Sequence, residues 1–217
     1  MAIEISMEAS RTWNKRYLLE LGENRPEMLL FYGHRVTKTV TETCLSQWYP
    51  CQFEVDGVTY TSAEQYMMAE KAKLFGDEEI RSEILCTSDP RKCKALGRKV
   101  KNFDKAVWDK NKEDIVRNGN FEKFMQNDTL RNFLLSTGEK VLVEASPTDR
   151  VWGIGLGKNN PDALNPQKWR GQNLLGFTLM AVRKNMLFWI CMENSMRRKM
   201  VKIWRKQNNG QLNAIYK

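Results

Sequence analysis

The sequence predicts an α+β fold, mostly helical, with a short β-hairpin and small sheet. Three observations carry that expectation. Helix-start residues precede several runs free of Pro and Gly, the clearest at 62–75. Asp56-Gly57 stands between residues 51–55 and 58–60, the strongest short hairpin signal in the chain. Lys140-Val141-Leu142-Val143-Glu144-Ala145 is the best strand.

In chain order, residues 1–27 are mixed and polar, with Gly22, Asn24 and Pro26 near their end, and read as a loosely ordered lead-in. Met28-Leu29-Leu30-Phe31-Tyr32 is a short strand candidate. Residues 33–43 are polar and threonine-rich, either extended or a loop. Leu45-Ser46-Gln47-Trp48-Tyr49-Pro50 sets two aromatics beside hydrogen-bonding side chains. The hairpin leads into the 62–75 helix. There Ser62 with Gln65, or Thr61 with Glu64, fits a capping box, and Gly76 supplies a stop. Tyr66, Ala69 or Lys71, and Phe75 recur at helical spacing, so one side can be buried.

A second helix is expected over 77–85. Pro90 opens a third and Gly97 closes it. Its basic run, 91–101, reads mostly as a solvated face, with one or two residues free to meet a phosphate. Asp104 caps a helix through Trp108 and Val116 that should end near Gly119. Residues 121–125 and 129–135 read as two short helices. Ser146-Pro147-Thr148-Asp149 turns out of the strand, and 159–169 is a long polar loop. A closing helix runs from Gln172 toward Arg183. Residues 186–217 begin apolar and then carry Arg197, Arg198, Lys199, Lys202, Arg205 and Lys206, like an appended basic helix. The expected organisation is a lead-in at 1–27, one domain at 28–185 and a basic tail at 186–217.

Composition narrows the function. A chain of 217 residues, 41% hydrophobic, suits one domain with a sizeable core. A formal net charge of +9 favours an anionic partner: a phosphate ester, a nucleotide or a nucleic acid. The five cysteines are odd in number and form no Cys-x-x-Cys, which suits reduced thiols in a cytosolic or nuclear protein. Residues 1–16 lack an apolar signal core, and the apolar run at 186–192 is too short for a bilayer, so no membrane is expected. His34 is the single histidine. A Ser-His or Cys-His system would depend on it, and no second histidine could join it on a metal. No metal or cofactor is therefore expected, and acid–base work falls to carboxylates, with lysine or tyrosine assisting.

Glu64 is the first such carboxylate. It sits in a helix's first turn beside an apolar face, where backbone N–H groups point. It suits a catalytic acid or base, or it merely caps its own helix. Asp149-Arg150-Val151-Trp152-Gly153-Ile154-Gly155-Leu156-Gly157 is the second candidate region. A strand end followed by a carboxylate, an aromatic and glycines is a site signal, although the glycines do not make the dinucleotide fingerprint.

Ser46-Gln47-Trp48-Tyr49-Pro50, Ser62-Ala63-Glu64-Gln65-Tyr66, Ala69-Glu70-Lys71, Leu96-Gly97-Arg98, Val107-Trp108, Lys123-Phe124, Leu142-Val143-Glu144-Ala145-Ser146, Asp149-Arg150-Val151-Trp152-Gly153 and Asn173-Leu174-Leu175-Gly176 follow one another in the order seen in the NADAR family. Over about residues 29–185 the chain resembles this family, also called YbiA-like. The resemblance implies a compact, mostly helical α+β domain and an N-glycosidase. Its substrates would be phosphorylated riboflavin-pathway intermediates or ADP-ribosylated guanine; both reactions break a ribose C1–N bond. The resemblance further implies Glu64 and Asp149 as catalytic, with Lys71, Arg98, Trp108 and Trp152 at the substrate; Trp48 and Gly153 join them as substrate-binding candidates. Gln47-Trp48 replaces the family's common Asn-Phe, Gln65 its common histidine, and Ile154 the aspartate of the bacterial type. These departures bear on substrate choice.

Cleavage through an oxocarbenium-like state needs negative charge near C1, a base for water and help for the leaving base. Glu64 and Asp149 can share the first two tasks, the tryptophans can sandwich the heterocycle, and Lys71 and Arg98 can hold phosphate. Two other readings stay open: a non-catalytic module binding ADP-ribose or an NAD derivative, and a nucleic-acid-binding module that uses the 91–101 run and the basic tail.

Overall fold

The computed structural model describes the backbone of residues 13–215 and the side chains of residues 13–200. Its contacts divide the chain into residues 1–182 and 183–217. Helices dominate the described residues, with two small two-stranded sheets.

The lead-in is more ordered than expected. Asn14 caps helix α1 (Lys15–Glu20), its side chain accepting from the Tyr17 amide. Leu18 is fully buried, and Lys15 Nζ donates to the Trp169 carbonyl at 2.7 Å. One apolar anchor thus docks a segment that reads as polar. The expectation for residues 1–12 lies outside the described residues.

Strand β1 (Met28–Phe31) pairs in parallel with β4 (Val141–Glu144), Phe31 opposite Glu144. Val141, Leu142 and Val143 are fully buried, the continuous apolar run that a covered parallel pair requires. Strands β2 (Phe53–Val55) and β3 (Val58–Tyr60) form the hairpin. Asp56 and Gly57 turn it with φ of 51° and 76°, both left-handed as a type I′ turn demands.

Helix α2 (Ala63–Leu74) is the core of the first unit. Ser62 Oγ accepts from the Gln65 amide at 3.2 Å, and a Schellman closure ends the helix at Gly76 (φ 68°), with Asp77 N bonded to Ala72 O at 2.9 Å. The spacing predicts one buried side; instead eight of its twelve residues are buried. Helices α3 (Glu78–Leu85), α4 (Pro90–Gly97) and α5 (Lys105–Met125) all pack on it.

Helix α5 does not stop at Gly119. A Cβ there would lie 2.3 Å from Tyr66 Cδ1, so this glycine admits the α2 ring rather than ending a helix. The short helix expected at 121–125 is the end of α5, and α6 (Asp128–Ser136) follows.

Helix α7 (Leu174–Ile215) continues past residue 185 without a break. Its stretch Leu174–Met200 is long and apolar enough to cross a membrane by length and composition, and an 18-residue part of it is half buried. The run at 186–192 is thus part of a longer apolar stretch. Buried core helices meet the same two criteria. In the second unit Trp189, Met192, Met196 and Met200 recur at helical spacing and are exposed, as are Arg197, Arg198 and Lys199. The side chains expected at Lys202, Arg205 and Lys206 lie outside the described residues.

Candidate functional site

The first unit holds a cavity of about 850 Å³, to which α2, α4, α5, the 46–48 segment and the loop after β4 all contribute. Three carboxyl residues line it: one in the first turn of a helix, one at the end of a strand and Asp149 in the loop that follows that strand.

Glu64 lines the cavity and is 3% exposed. It is not its helix's cap. Ser62 fills that role, and Gln65 Oε1 takes the Thr61 amide at 2.7 Å. Gln65 Nε2 then reaches the Ile84 and Thr87 carbonyls at 3.1 and 2.9 Å. Glu64 Oε1 is buried with no hydrogen-bond partner. Its amide donates to Gln47 O at 2.9 Å, which ties α2 to the segment carrying Trp48. Burial pushes the Glu64 carboxyl up from its ordinary 4.5 to about 7; Asp149 adds to the rise, while Lys94, Trp48 and Arg98 oppose it.

Glu144 is the carboxylate that the motifs contain but that sequence reasoning left as strand. It lines the cavity, and its Oε2 is buried without a partner. Burial first, then the negative charge of Asp149, pushes it up to about 8. A charged residue closing an otherwise apolar strand, five residues before Asp149, was the available signal. Asp149 is half-buried, with Oδ1 held by the Val151 and Trp152 amides at 2.9 and 2.8 Å. That turn aims Trp152 at the cavity.

Trp48, Trp108 and Trp152 all line the cavity, each half-buried. His34 lines it too, its ring 5.5 Å from Trp48. Trp108 is therefore a wall residue rather than core. Lys71 sits 4.3 Å from the Phe103 ring and 5.5 Å from the Trp108 ring, and already donates to Gly97 O at 2.7 Å. Arg98 lines the cavity, as do Arg91, Lys94 and Arg150, which sequence reasoning left in the solvated run or unremarked. Lys94 lies 5.8 Å from the Trp48 ring. None of these four cations forms an ion pair among the described residues.

Gly153 does not belong with them. It is buried outside the cavity wall, and a Cβ on it would lie 2.9 Å from Glu144 O and 3.0 Å from Asp149 O. The glycine permits the loop to close on its own strand, not a ligand to approach. Gly155 acts likewise: at φ 68° its amide reaches Asp149 O at 3.0 Å.

Behind the Trp48 segment, Lys123 is fully buried and donates to Cys44 O and Ser46 O at 2.7 and 2.8 Å. Asn120 Nδ2 donates to Gln47 Oε1 at 2.7 Å. These α5 residues fix a segment that has no strand partner of its own. Among the described residues no group of three or more His, Cys, Asp or Glu side chains is arranged to hold a metal ion.

A mostly helical α+β domain with buried carboxyls on an aromatic, cationic cavity defines the class. The NADAR domain matches residues 30–187, and the chain belongs to that family. It is 49% identical over 144 residues to N-glycosidase R617 of Acanthamoeba polyphaga mimivirus, covering 64% of this chain and 85% of the relative. It is 33% identical over 133 residues to N-glycosidase YbiA of Escherichia coli (strain K12), covering 61% and 74%. The solved NMR structure of E. coli YbiA superposes with a TM-score of 0.62 at 28% identity, covering 77% of this chain and 89% of that one.

Proposed function

We propose that this chain is a hydrolase of N-glycosyl bonds that cleaves the ribose C1–N bond of a phosphorylated ribosylamine or of an ADP-ribosylated guanine. N-glycosidase activity is supported by family membership and by the names of relatives at 49% and 33% identity. The observation that carries the site assignment is Glu64: a buried carboxyl, relieved of capping by Ser62 and Gln65, with an unpartnered oxygen on the cavity.

In this reading Glu64 takes a proton from water as the water attacks C1. Asp149 places negative charge beside the oxocarbenium-like sugar. Trp48, Trp108 and Trp152 stack on the leaving heterocycle, at roughly 1–3 kcal/mol per base. Arg91, Lys94, Arg98 and Arg150 have free donors for phosphate. A non-catalytic reader of the same ligand is disfavoured, because a reader of an anion gains little from two extra carboxylates, Glu64 and Asp149. The basic tail is assigned to phosphate contacts when the modified base is carried on nucleic acid.

The test is incubation of the full chain with a phosphoribosylamine and with an ADP-ribosylated guanine oligonucleotide. Free base together with free ribose phosphate or ADP-ribose is expected. Tight binding of either compound without release of base, at any pH between 5 and 9, would favour the reader and sink the hydrolase.

A further inference from the structure

Two tasks of the cleavage have owners in the reading above, and the third does not. The departing nitrogen must gain a proton as the C1–N electron pair moves onto it. The cavity holds one carboxyl not yet used. Building on the proposed C1–N hydrolysis, we infer that Glu144 is the acid that hands this proton to the leaving base.

The geometry around Glu144 is rigid and specific. Its amide donates to Asn173 Oδ1 at 2.9 Å, and its carbonyl accepts from the Ile154 amide at 2.9 Å. Asn173 Nδ2 also donates to Leu142 O at 2.9 Å, so the head of α7 clamps the strand end. The backbone cannot swing, and the side chain faces the cavity with an oxygen that no protein group satisfies. A buried carboxyl kept for architecture makes hydrogen bonds, since an unpaired one costs about 1–3 kcal/mol. Asp149 is a poorer donor, because one of its oxygens is committed to two amides.

The charges facing Glu144 come from every side: Asp149 from its own loop, Glu64 from α2, Lys94 from α4 and Lys123 from α5. The two carboxylates raise its proton affinity, the two lysines lower it, and burial outweighs both. With a value near 8 it can hold a proton at neutral pH, and Glu64, near 7, titrates in the same range. Burial raises both carboxyls, and position divides the roles: Glu144 offers its unpartnered oxygen from the clamped strand end, Glu64 from the first turn of α2. The cycle balances. Glu144 gives a proton to nitrogen as the C1–N bond breaks, water forms the C1–O bond, and Glu64 takes the proton that water releases. Exchange with solvent returns Glu64 and Glu144 to their starting states.

The experiment is a pH–rate profile of the full chain and of Glu144→Gln and Glu144→Asp, on whichever of the two substrates above turns over. Glu144→Gln should lower kcat by at least ~100-fold with KM within about threefold, and its profile should lose the decline above about pH 8. Glu144→Asp, still an acid, should keep that decline and recover part of the rate. Unchanged kcat in Glu144→Gln overturns the inference, and so does a slowed variant that retains the alkaline decline. Should Glu144→Gln not fold, the wild-type profile decides: a rate that stays flat from pH 7 to 9.5 overturns it. Failure of the wild type on both substrates is a separate result, which strikes the hydrolase reading itself.

Discussion

Two groups of buried polar side chains lie within one unit and are treated in opposite ways. Lys123 on α5 is fully buried, and its ammonium meets the carbonyls of Cys44 and Ser46. Across the cavity, Glu64 Oε1 and Glu144 Oε2 are also buried and meet nothing. The first arrangement replaces missing secondary structure. Residues 44–48 have no ladder, and the lysine supplies a donor to Cys44 O and a second one to Ser46 O, which also takes the Tyr49 amide. The second arrangement leaves one oxygen of each carboxyl without a partner in the folded chain. Its unpaired oxygens are intelligible as sites awaiting a substrate or a water. Burial alone does not separate scaffold from chemistry here; hydrogen-bond satisfaction does.

The sharpest way to break this comparison is to neutralise one member of each group. Glu64→Gln keeps the shape and removes the proposed base, so kcat should fall by about 10²–10⁴-fold. The fold should survive, and above neutral pH it should gain stability. The sign follows from proton binding. Folded Glu64 holds its proton up to about pH 7, whereas the unfolded side chain releases it near 4.5. Wild-type stability therefore falls as pH rises through that window, and an amide does not share the fall. At pH 8 the gain is on the order of 3 kcal/mol, from about 1.4 kcal/mol per unit, and at pH 4 it vanishes. Thermal melts at the two pH values check it. A variant less stable than wild type at pH 8 would return Glu64 to a structural role.

Lys123→Met is the opposite case. It keeps most of the side-chain length but removes the buried ammonium's bonds to two carbonyls, of which Ser46 O keeps the Tyr49 amide. Stability should drop by about 2–4 kcal/mol, with chemical denaturation as the measurement. Any loss of kcat should be smaller than for Glu64→Gln and should follow the loosening of the Trp48 segment. A Lys123→Met chain as stable as wild type would dissolve the contrast.

How legible this was depends on range. The hairpin turn and the Ser62 cap are local chemistry, written within four residues, and they read correctly. The first-turn position of Glu64 was legible for the same reason, and the structure adds that its side chain lines the cavity. The pairing of β1 with β4 was not, because nothing in Met28–Phe31 names Val141–Glu144 as its partner. Without that pairing Glu144 is only a polar residue ending a strand. Gly119 and Gly153 misled for a shared reason. Glycine marks a close approach, and sequence does not say what approaches: Tyr66 in one case, the loop's own carbonyls in the other. Lys94 and Arg91 were hidden in a basic run of which one face only turns inward.

The aromatic wall allows a finer comparison. Trp152→Ala removes a stacking face and should raise KM by about 10-fold or more, corresponding to roughly 1–3 kcal/mol per stacked base. Trp152→Phe keeps part of that face and should lose less. Steady-state KM at fixed pH reads the difference. Equal losses would mean that the indole packs the loop rather than the ligand.

The smallest effect on a small substrate is expected from the tail. The family match ends at residue 187, and the cavity is lined by residues no later than Leu175. Truncation after Leu187 retains the buried Met186 and removes the exposed stripe and the basic cluster beyond it. Cleavage of a phosphoribosylamine should then change less than twofold. Cleavage of an ADP-ribosylated oligonucleotide should weaken through KM, and the wild type's advantage should shrink as salt rises, because phosphate contacts release counterions. Equal loss on both substrates, with a lowered melting temperature, would show that the domain needs the continuation of α7. No loss on either would remove nucleic acid from the account of the tail. Its exposed Trp189, Met192, Met196 and Met200 would then be the feature to explain, since an apolar stripe beside Arg197, Arg198 and Lys199 is more than phosphate binding requires.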